Sequence, residues 1–412
     1  MNTKVDAFKN PFRPGAGHMP PYLAGRDNET REFMRLLSQD MILENLILTG
    51  LRGVGKTVLF DSFKPLAISK GWIWVGTDLS EASSISEENI AIRLLTDLSV
   101  VTSSVVIATR KLQQMGFGGE TSLIQDTLNF QTLVQIYQQT PGLSADKLKR
   151  VLEIVWECLM PNKPRGLIFA YDEAQNLSDH AGKDQYPLSL LLDVFQSIQK
   201  KHIPFMLALS GLPTLFPKLV EARTFSERMF HIIFLDRLGD DDSRDAILKP
   251  INDAKCPVKF NSESVNTIVK VSGGYPYFIQ FICREVYDVF IQKVNAGEKP
   301  TVPVEEINRK LDSDFFAGRW ARATDRQREL LGVIARLESA DEEFTVQEIV
   351  ERSKLELPKP FSSSHVNQML ASLTEAGLVY KNRHGKYSFA VPLLGQFILR
   401  QLQQIGEQPR LI

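Results

Sequence analysis

One segment of the chain has the residue types and spacing of a phosphate-binding loop. Gly50 to Thr57 matches the G-x-x-x-x-G-K-[ST] pattern completely. Its glycines let the backbone turn tightly with no side chain in front of a phosphate, and amides at the start of a following helix favour negative charge. Lys56 is expected to reach the β- and γ-phosphates, and the Thr57 hydroxyl to ligate Mg²⁺. The predicted nucleotide contacts in this loop are Gly50, Leu51, Arg52, Gly53, Val54, Gly55, Lys56, Thr57 and Val58.

A second segment ends in two adjacent carboxylates. Gly166 to Tyr171 is a mostly apolar run that predicts a buried strand, and Asp172 and Glu173 follow it directly. Asp172 is expected to hold the Mg²⁺ shell, and Glu173 to activate the attacking water as a general base. A phosphate-loop kinase does not usually need a water-activating carboxylate at this point. The pair therefore favours hydrolysis of ATP over phosphoryl transfer to a small molecule.

The composition is typical of a soluble globular protein. The chain has 412 residues, 43% hydrophobic and 24% charged, with a formal net charge of -1. This length predicts two or three domains, and this charge gives no overall sign of a nucleic-acid binder. Cys158, Cys256 and Cys283 have no metal-ligand spacing and no even count for disulfides, which predicts a reduced, cytoplasmic setting. We see neither a signal peptide nor an apolar run long enough to span a membrane.

The elements that position these motifs predict an α/β domain over residues 23–239. Apolar runs at 46–49, 72–76, 166–171, 203–209 and 231–235 alternate with helical segments, which is typical of a parallel five-stranded sheet with helices on both faces. Residues 1–22 are rich in Pro and Gly and predict an extended arm. The stretch between the second and third strands is unusually long, so we expect a helical insertion near 100–145.

The remainder of the chain predicts two smaller domains. Residues 240–320 lack a strand pattern and predict an all-helical lid, with helices at 243–254, 262–271, 276–294 and 304–316. Residues 321–412 predict three helices, the third capped by Ser362, and then a β-hairpin with strands at 378–380 and 387–391. Three helices followed by a hairpin are typical of a winged helix.

With these motifs the chain resembles the AAA+ ATPases of the origin-recognition and STAND groups. It looks closest to a poorly characterised bacterial family of such ATPases, whose members open with N-P-[FY]-x-P-G-A-G, P-P-x-L-x-G-R-x-x-E and L-T-G-L-R-G-V-G-K-T. These motifs correspond to residues 10–17, 20–29 and 48–57, and the resemblance covers nearly the whole chain. It implies a Mg²⁺-dependent ATPase that forms a homo-oligomer on binding ATP.

The resemblance also implies roles for single residues. Gly25 and Arg26 match the motif that borders the adenine. Ser210 matches the polar residue that senses the γ-phosphate or the lytic water, although a plain turn residue is the alternative. Arg228 falls where such proteins carry an arginine finger, although a structural ion pair is the alternative and Arg223 competes for the role. Pro276 matches the lid motif that touches nucleotide, or it simply starts a helix.

One departure from the initiator pattern concerns the lid. The initiator ATPases carry an arginine early in a lid helix, but the corresponding stretch here is Tyr275-Pro276-Tyr277-Phe278. The lid is therefore expected to sense nucleotide in the STAND manner.

The winged helix has two interpretations. Its third helix has no Lys or Arg but offers Ser363, His365, Asn367 and Gln368, while the wing offers Lys381, Arg383, His384 and Lys386. A few such charges predict weak, salt-sensitive binding to duplex DNA. The alternative is that the domain packs against the ATPase or a protein partner, as in a STAND-like nucleotide-gated switch.

Overall fold

A computed structural model of the protein describes residues 9–113, 121–256, 259–299, 301–383 and 385–407. The strands in these ranges are β1 (Asn45–Gly50), β2 (Trp72–Val75), β3 (Val106–Gln113), β4 (Thr121–Thr127), β5 (Gly166–Tyr171), β6 (Phe205–Gly211), β7 (Phe230–Leu235), β8 (Phe344–Thr345), β9 (Val379–Arg383) and β10 (Lys386–Phe389).

The α-helices are α1 (Asp27–Leu37), α2 (Lys56–Ser69), α3 (Glu87–Thr102), α4 (Phe130–Gln139), α5 (Ser144–Leu159), α6 (Pro187–Lys200), α7 (Leu215–Ala222), α8 (Ser226–Met229), α9 (Asp240–Asp253), α10 (Ser262–Ser272), α11 (Pro276–Asn295), α12 (Val304–Leu311), α13 (Ala317–Trp320), α14 (Asp325–Ala335), α15 (Val346–Glu356), α16 (Ser363–Glu375) and α17 (Leu394–Glu407). None of the helices in the described ranges is long and apolar enough to span a lipid bilayer.

A five-stranded sheet has the order β2-β5-β6-β1-β7. The β2–β5, β5–β6 and β1–β6 pairs are parallel, with Leu48 of β1 opposite Ser210 of β6. Every residue of β1, β5 and β6 is buried, which explains why these strands are continuous apolar runs rather than alternating ones. Because these strands run in the same direction, the residues that follow them emerge from one edge of the sheet. The predicted α/β fold is confirmed.

Aromatic side chains join helices to both faces of this sheet. On one face Phe169 of β5 lies edge-on to Phe195 of α6, with 5.0 Å between ring centroids. On the other face Phe33 of α1 stacks on Phe63 of α2 at 4.2 Å, and Trp74 of β2 lies edge-on to Phe33. Large buried rings of this kind supply much of the apolar area that stabilises a domain.

The predicted helical insertion near 100–145 is partly wrong. Strands β3 and β4 lie within this segment and pair as an antiparallel hairpin, with Val106 opposite Thr127. β-Branched residues at 105–107, 109, 121 and 127 favour extended backbone. The Gly-rich run at 116–119 lies outside the described residues. Helices α4 and α5 occupy the rest of the segment.

The chain divides into two compact units. One unit comprises residues 27–49 and 59–234, which hold most of the sheet and its flanking helices. The other comprises residues 1–26, 50–58 and 235–412, which hold the arm, the glycine loop and helices α9–α17.

In the second unit, the arm packs onto the lid helices. Residues 9–22 contain no helix or strand, as predicted. Asn10 donates through Nδ2 to the Arg284 carbonyl and to Asp288 Oδ1 on α11, both at 2.9 Å. Phe12 is only 3% exposed. The arm is therefore part of the folded unit.

Helices α9–α12 agree with the predicted all-helical lid, and beyond them the chain combines further helices with a small antiparallel sheet. After α12 the backbone continues as a π-helical turn, Asp312–Phe316. Strand β8 lies between α14 and α15, and β9, β10 and α17 follow α16; the three strands form an antiparallel sheet of order β8-β10-β9. The sequence did not indicate α17. Ser362 caps α16 as predicted, because its side chain accepts from the His365 amide.

Candidate nucleotide-binding site

The glycine loop has the backbone conformation that a phosphate cradle needs. Gly53 and Gly55 have φ angles of +82° and +91°, a region that residues with a side chain rarely adopt. A Cβ built on Gly55 would meet no atom within 4 Å, so the space beside it is open, whereas one on Gly50 would lie 2.4 Å from the Leu235 carbonyl oxygen. These residues therefore fit a bound phosphate.

Helix α2 begins at the predicted lysine. Lys56 is its first residue, Thr57 and Val58 follow, and its first turn has no acidic side chain. The Lys56 ammonium donates to the carbonyls of Gly50 and Leu51 at 2.9 and 2.8 Å. A cation and a helix N-terminus thus meet at the loop, which favours an anion there.

Arg26 supports the loop from behind. This side chain is only 7% exposed, and its guanidinium donates to the carbonyls of Val54 and Asp236 at 2.9 and 2.8 Å. Gly25 has φ +60°, and a Cβ there would lie 2.5 Å from the Asp242 carboxyl carbon. In the structure the Arg26 side chain thus holds the loop backbone. The position of Gly25 and Arg26 beside the adenine, which the resemblance implies, stays a prediction.

The start of α11 contacts the loop beside Pro276, the residue that is predicted to touch nucleotide. Pro276 occupies the first turn of α11, and the next amide, that of Tyr277, donates to the Gly53 carbonyl at 3.2 Å. Gly274, with φ +76°, passes close to the Leu238 carbonyl, where a Cβ would lie at 2.5 Å. The motif around Pro276 therefore brings the start of α11 against the phosphate-binding loop.

The arm also reaches the loop, which sequence reasoning did not foresee. A Cβ built on Gly17 would lie 3.4 Å from Thr57 Cγ2. The Gly-rich composition of the arm was a signal for a close approach to another backbone, but the sequence alone did not name Thr57.

Asp172 and Glu173 belong to the unit that comprises residues 27–49 and 59–234. Asp172 is 5% exposed, and its backbone is held between the Thr77 carbonyl and the Leu79 amide at 3.3 and 2.9 Å. Glu173 is exposed and has φ +52°, an uncommon angle for a residue with a side chain. Such an outlier is often found at a functional site.

Gln175 positions the predicted general base. Its side-chain amide donates to Glu173 Oε2, and its Oε1 accepts from the Leu212 amide at 3.0 Å. Gln175 therefore joins the Glu173 carboxylate to the chain that follows β6. Sequence reasoning missed this residue, although its place two positions after Glu173 was available as a signal.

Two further carboxylates lie near Asp172. Burial raises the pKa of Asp78, and the charges of Asp172 and Glu173 raise it further. Burial also raises the pKa of Asp61, followed by the charges of Asp172 and Asp78. Asp78 follows the end of β2 at the same edge of the sheet, and this position could have identified it from sequence.

The metal ligands predicted here are Thr57 and Asp172. Within the described ranges, no group of three or more His, Cys, Asp or Glu side chains is arranged to hold a metal ion. Mg²⁺ is usually bound by one or two protein oxygens together with substrate phosphates. Thr57 and Asp172 belong to different compact units, and their role as metal ligands stays a prediction.

Ser210 lies at the carboxyl end of β6. Its side chain is fully buried, and in the part of the chain that the structure describes its Oγ has no hydrogen-bond partner. Buried polar groups are normally paired, so an unpaired one requires an explanation. A γ-phosphate sensor is one such explanation.

The two candidate finger arginines differ in their surroundings. Arg223 donates to both carboxylate oxygens of Asp193, at 2.9 and 2.7 Å, and also to Ser189 Oγ. The hydrogen bond with Asp193 raises the pKa of Arg223. Arg228 is exposed on α8 and forms no ion pair with any described residue. Arg223 is thus engaged within its own chain, whereas Arg228 can reach another molecule.

The chain is similar to known proteins in one segment of its sequence and in its fold. Residues 313–398 match a family described as a domain of unknown function, DUF8462. No curated protein matches the chain.

Two solved structures share the fold over nearly their whole length. The chain is similar to the Walker-type ATPase PABY2304 of Pyrococcus abyssi, with a TM-score of 0.54, 14% identity, and 92% of this chain and 96% of that chain covered. It is also similar to the ORC2 protein of Aeropyrum pernix in ADPNP–ADP complexes, with a TM-score of 0.51, 14% identity, and 96% and 98% covered. These structures support the predicted α/β fold.

We predict that Asp78→Asn stabilises the protein at neutral pH. A carboxylate whose pKa is raised in the folded state contributes stability at acid pH and loses it as the pH rises through the folded value. The gain from Asp78→Asn should therefore be present near neutrality and shrink as the pH falls to the ordinary aspartate pKa of 3.8.

Urea unfolding followed by circular dichroism across this pH range measures the effect. Asp40→Asn, at a fully exposed position, is the matched control and should change little. A gain that is equal at all pH values would contradict the electrostatic origin.

Proposed function

We propose that the protein binds ATP with Mg²⁺, hydrolyses the bond between its β- and γ-phosphates and works as a homo-oligomeric AAA+-type ATPase. The observation that carries the proposal is the Gly50–Thr57 loop, with Gly53 and Gly55 at positive φ and α2 starting at Lys56. The adjacent carboxylates after β5 support hydrolysis over binding alone. The fold shared with a Walker-type ATPase is consistent with this function.

Each predicted site residue has its own role in the proposed reaction. In this proposal the loop amides bind the phosphates, and Lys56 exchanges its carbonyl partners for phosphate oxygens. Mg²⁺, held by Thr57 and Asp172, would neutralise phosphate charge. Glu173 accepts a proton from the attacking water, while Ser210 donates its hydroxyl to that water or to the γ-phosphate.

We predict that Glu173→Gln keeps ATP binding and loses turnover by about 10²- to 10⁴-fold, because only the proton acceptor is removed. Lys56→Ala should instead lose binding, since the phosphates lose their main side-chain cation. Calorimetry measures the binding of each variant, and phosphate release measures the turnover.

Glu221→Gln is the matched control, because Glu221 is an exposed glutamate on α7. It should keep full activity. Wild-type turnover by Glu173→Gln would place the base elsewhere, and unchanged ATP affinity of Lys56→Ala would refute the loop as the phosphate site.

We also propose that Arg228 acts on the nucleotide of a neighbouring subunit. Its exposure and its lack of an ion pair among the described residues support a role in trans, and the pairing of Arg223 with Asp193 makes Arg223 the weaker candidate. An arginine finger stabilises the charge that develops on the transferred phosphoryl group.

We predict that Arg228→Ala lowers turnover by up to about 10³-fold at unchanged ATP affinity, by analogy with the finger of GTPases. The specific activity of the wild type should rise with protein concentration. Mixing Arg228→Ala with Glu173→Gln should restore part of the activity, because one chain supplies the finger and the other the base.

Lys70→Ala, at an exposed lysine beyond the far end of α2, is the control and should behave as the wild type. Concentration-independent activity together with no recovery on mixing would identify a monomeric enzyme.

For the winged helix we propose weak contact with duplex DNA. Ser363, His365, Asn367 and Gln368 of α16 are exposed, and so is Lys381 of β9. Hydrogen bonds with Thr345 are the main cause of the lowered pKa of Glu348, and the charge of Lys386 lowers it further, while burial opposes both. Arg383 belongs to β9, and His384 lies outside the described residues. The positive charge of the wing is thus partly offset.

The second candidate is a nucleotide-gated switch whose winged helix contacts protein. The observation that favours it is that this domain packs on the lid, where Phe397 of α17 stacks on Phe316 at 5.2 Å between ring centroids. In this candidate the nucleotide state would alter that packing and expose a surface for a partner.

We predict that duplex DNA binds with a salt slope of about -3 or shallower, since each neutralised phosphate contributes about -0.9. Replacing Lys381, Arg383 and Lys386 with Ala should abolish the slope. Fluorescence anisotropy against salt concentration measures it, with Lys299→Ala as a control cation outside the winged helix. No binding at low salt would instead support the protein-contact candidate.

A further inference from the structure

The arm motif at residues 10–17 has no role in the reaction proposed for Lys56, Asp172 and Glu173. It reads Asn-Pro-Phe-Arg-Pro-Gly-Ala-Gly and contains no helix or strand. A segment without regular structure is ordered only where specific contacts outweigh the loss of its conformational entropy. The contacts of the arm therefore indicate what the motif does.

The first part of the motif fixes the arm to the lid. Asn10 donates to the Arg284 carbonyl and to Asp288 of α11. Phe12 is almost fully buried, and its ring is parallel to that of Phe260 with 6.4 Å between centroids. These anchors determine where the rest of the motif lies.

The second part of the motif begins a tight turn over residues 15–18, here called the arm turn. The Gly15 amide donates to the Arg13 carbonyl at 2.9 Å, and the His18 amide donates to the Gly15 carbonyl at 3.3 Å. A Cβ built on Gly15 would lie 2.7 Å from the His18 ring. Gly17 has φ +70°, which residues with a side chain rarely adopt. Both glycines are therefore needed for this turn.

The arm turn lies against the first turn of α2. A Cβ built on Gly17 would lie 3.4 Å from Thr57 Cγ2, and both residues belong to one compact unit. Gly17 and His18 are exposed, so a ligand can approach them. In the proposed function the amides of the loop and of the start of α2 hold the phosphates. The arm turn therefore borders the place of a bound nucleotide.

The His18 ring presents a hydrogen-bond acceptor there. Its Nδ1 lies 3.1 Å from the Ala16 carbonyl oxygen. Because a carbonyl oxygen only accepts, this contact places a proton on Nδ1, and Nε2 of the neutral ring is then an acceptor. Such an acceptor fits a hydroxyl or an amino group, whereas a phosphate oxygen would need a donor.

We propose that His18 Nε2 accepts a hydrogen bond from a ribose hydroxyl of the ATP bound at the glycine loop. This inference rests on the proposed function. The ribose is bonded to the α-phosphate, which the amides at the start of α2 would hold. The adenine amino group, the other donor of the nucleotide, is farther from that phosphate. With Gly17 passing close to Thr57, the arm brings His18 to the sugar and gives the site a preference for ribonucleotides.

The test compares ATP with 2′-deoxy-ATP and 3′-deoxy-ATP. One net hydrogen bond corresponds to about two- to tenfold in affinity, so His18→Ala should weaken ATP binding by that factor. The same variant should bind the deoxynucleotide that lacks the bonded hydroxyl as tightly as the parent does. His18→Gln should recover part of the ATP affinity, because its side-chain oxygen also accepts.

Calorimetry in a Glu173→Gln background, which prevents turnover, gives these affinities, and circular dichroism verifies folding. His202→Asn, at an exposed histidine before β6, is the matched control and should bind all three nucleotides as the parent does. Asn tolerates the positive φ of position 202.

Unchanged ATP affinity in His18→Ala would overturn the inference. An equal loss for the three nucleotides would overturn it as well, because His18 would then only shape the turn. So would a loss that vanishes with inosine triphosphate alone, since the adenine amino group would be the donor. A parent chain that bound none of the nucleotides would instead refute the proposed function itself.

Discussion

The buried hydrogen bonds from Arg26 to the loop carbonyl of Val54 and to Asp236 hold the glycine loop in shape. Glycines lose more conformational freedom on folding than other residues, so a loop with three of them needs support from outside. A guanidinium that is almost fully buried is itself stable only when its donors are paired. The loop and its support therefore depend on each other, and the cradle is formed by the fold rather than by its ligand.

The remaining supports of the loop come from segments that are distant in sequence. The lid contributes the Tyr277 amide, and the arm passes Thr57 at Gly17. The arm is fixed in turn by Asn10 on α11. A ligand that displaces the loop by a small distance would therefore change contacts with the lid and the arm together.

The carboxylate side of the proposed site has a cost in stability. Asp172 is buried, Glu173 has a left-handed backbone, and Asp61 and Asp78 are held close to them in sequence-distant positions. Like charges in one region oppose folding at neutral pH. Such local conflicts are common where function, rather than stability, selects the residues.

Much of the fold was predictable because its signals are local. The apolar runs of β1 and β5, the glycine spacing of the loop and the Ser362 cap can each be read within a few residues. The hairpin at 106–127 was predicted as helix, because the prediction was based on the length of that segment and did not consider its β-branched residues. The pairing of Arg223 with Asp193 joins residues 30 positions apart, and no pattern in the sequence indicates it.

The sequence by itself determined the chemistry of the glycine loop and of the Asp172-Glu173 pair, because residue type and short spacing define those groups. Only the tertiary structure decided which of the two candidate finger arginines is engaged and what supports the loop. The physical reason is that charge, burial and hydrogen-bond partners are set by residues from remote parts of the chain, which meet only when the chain is folded.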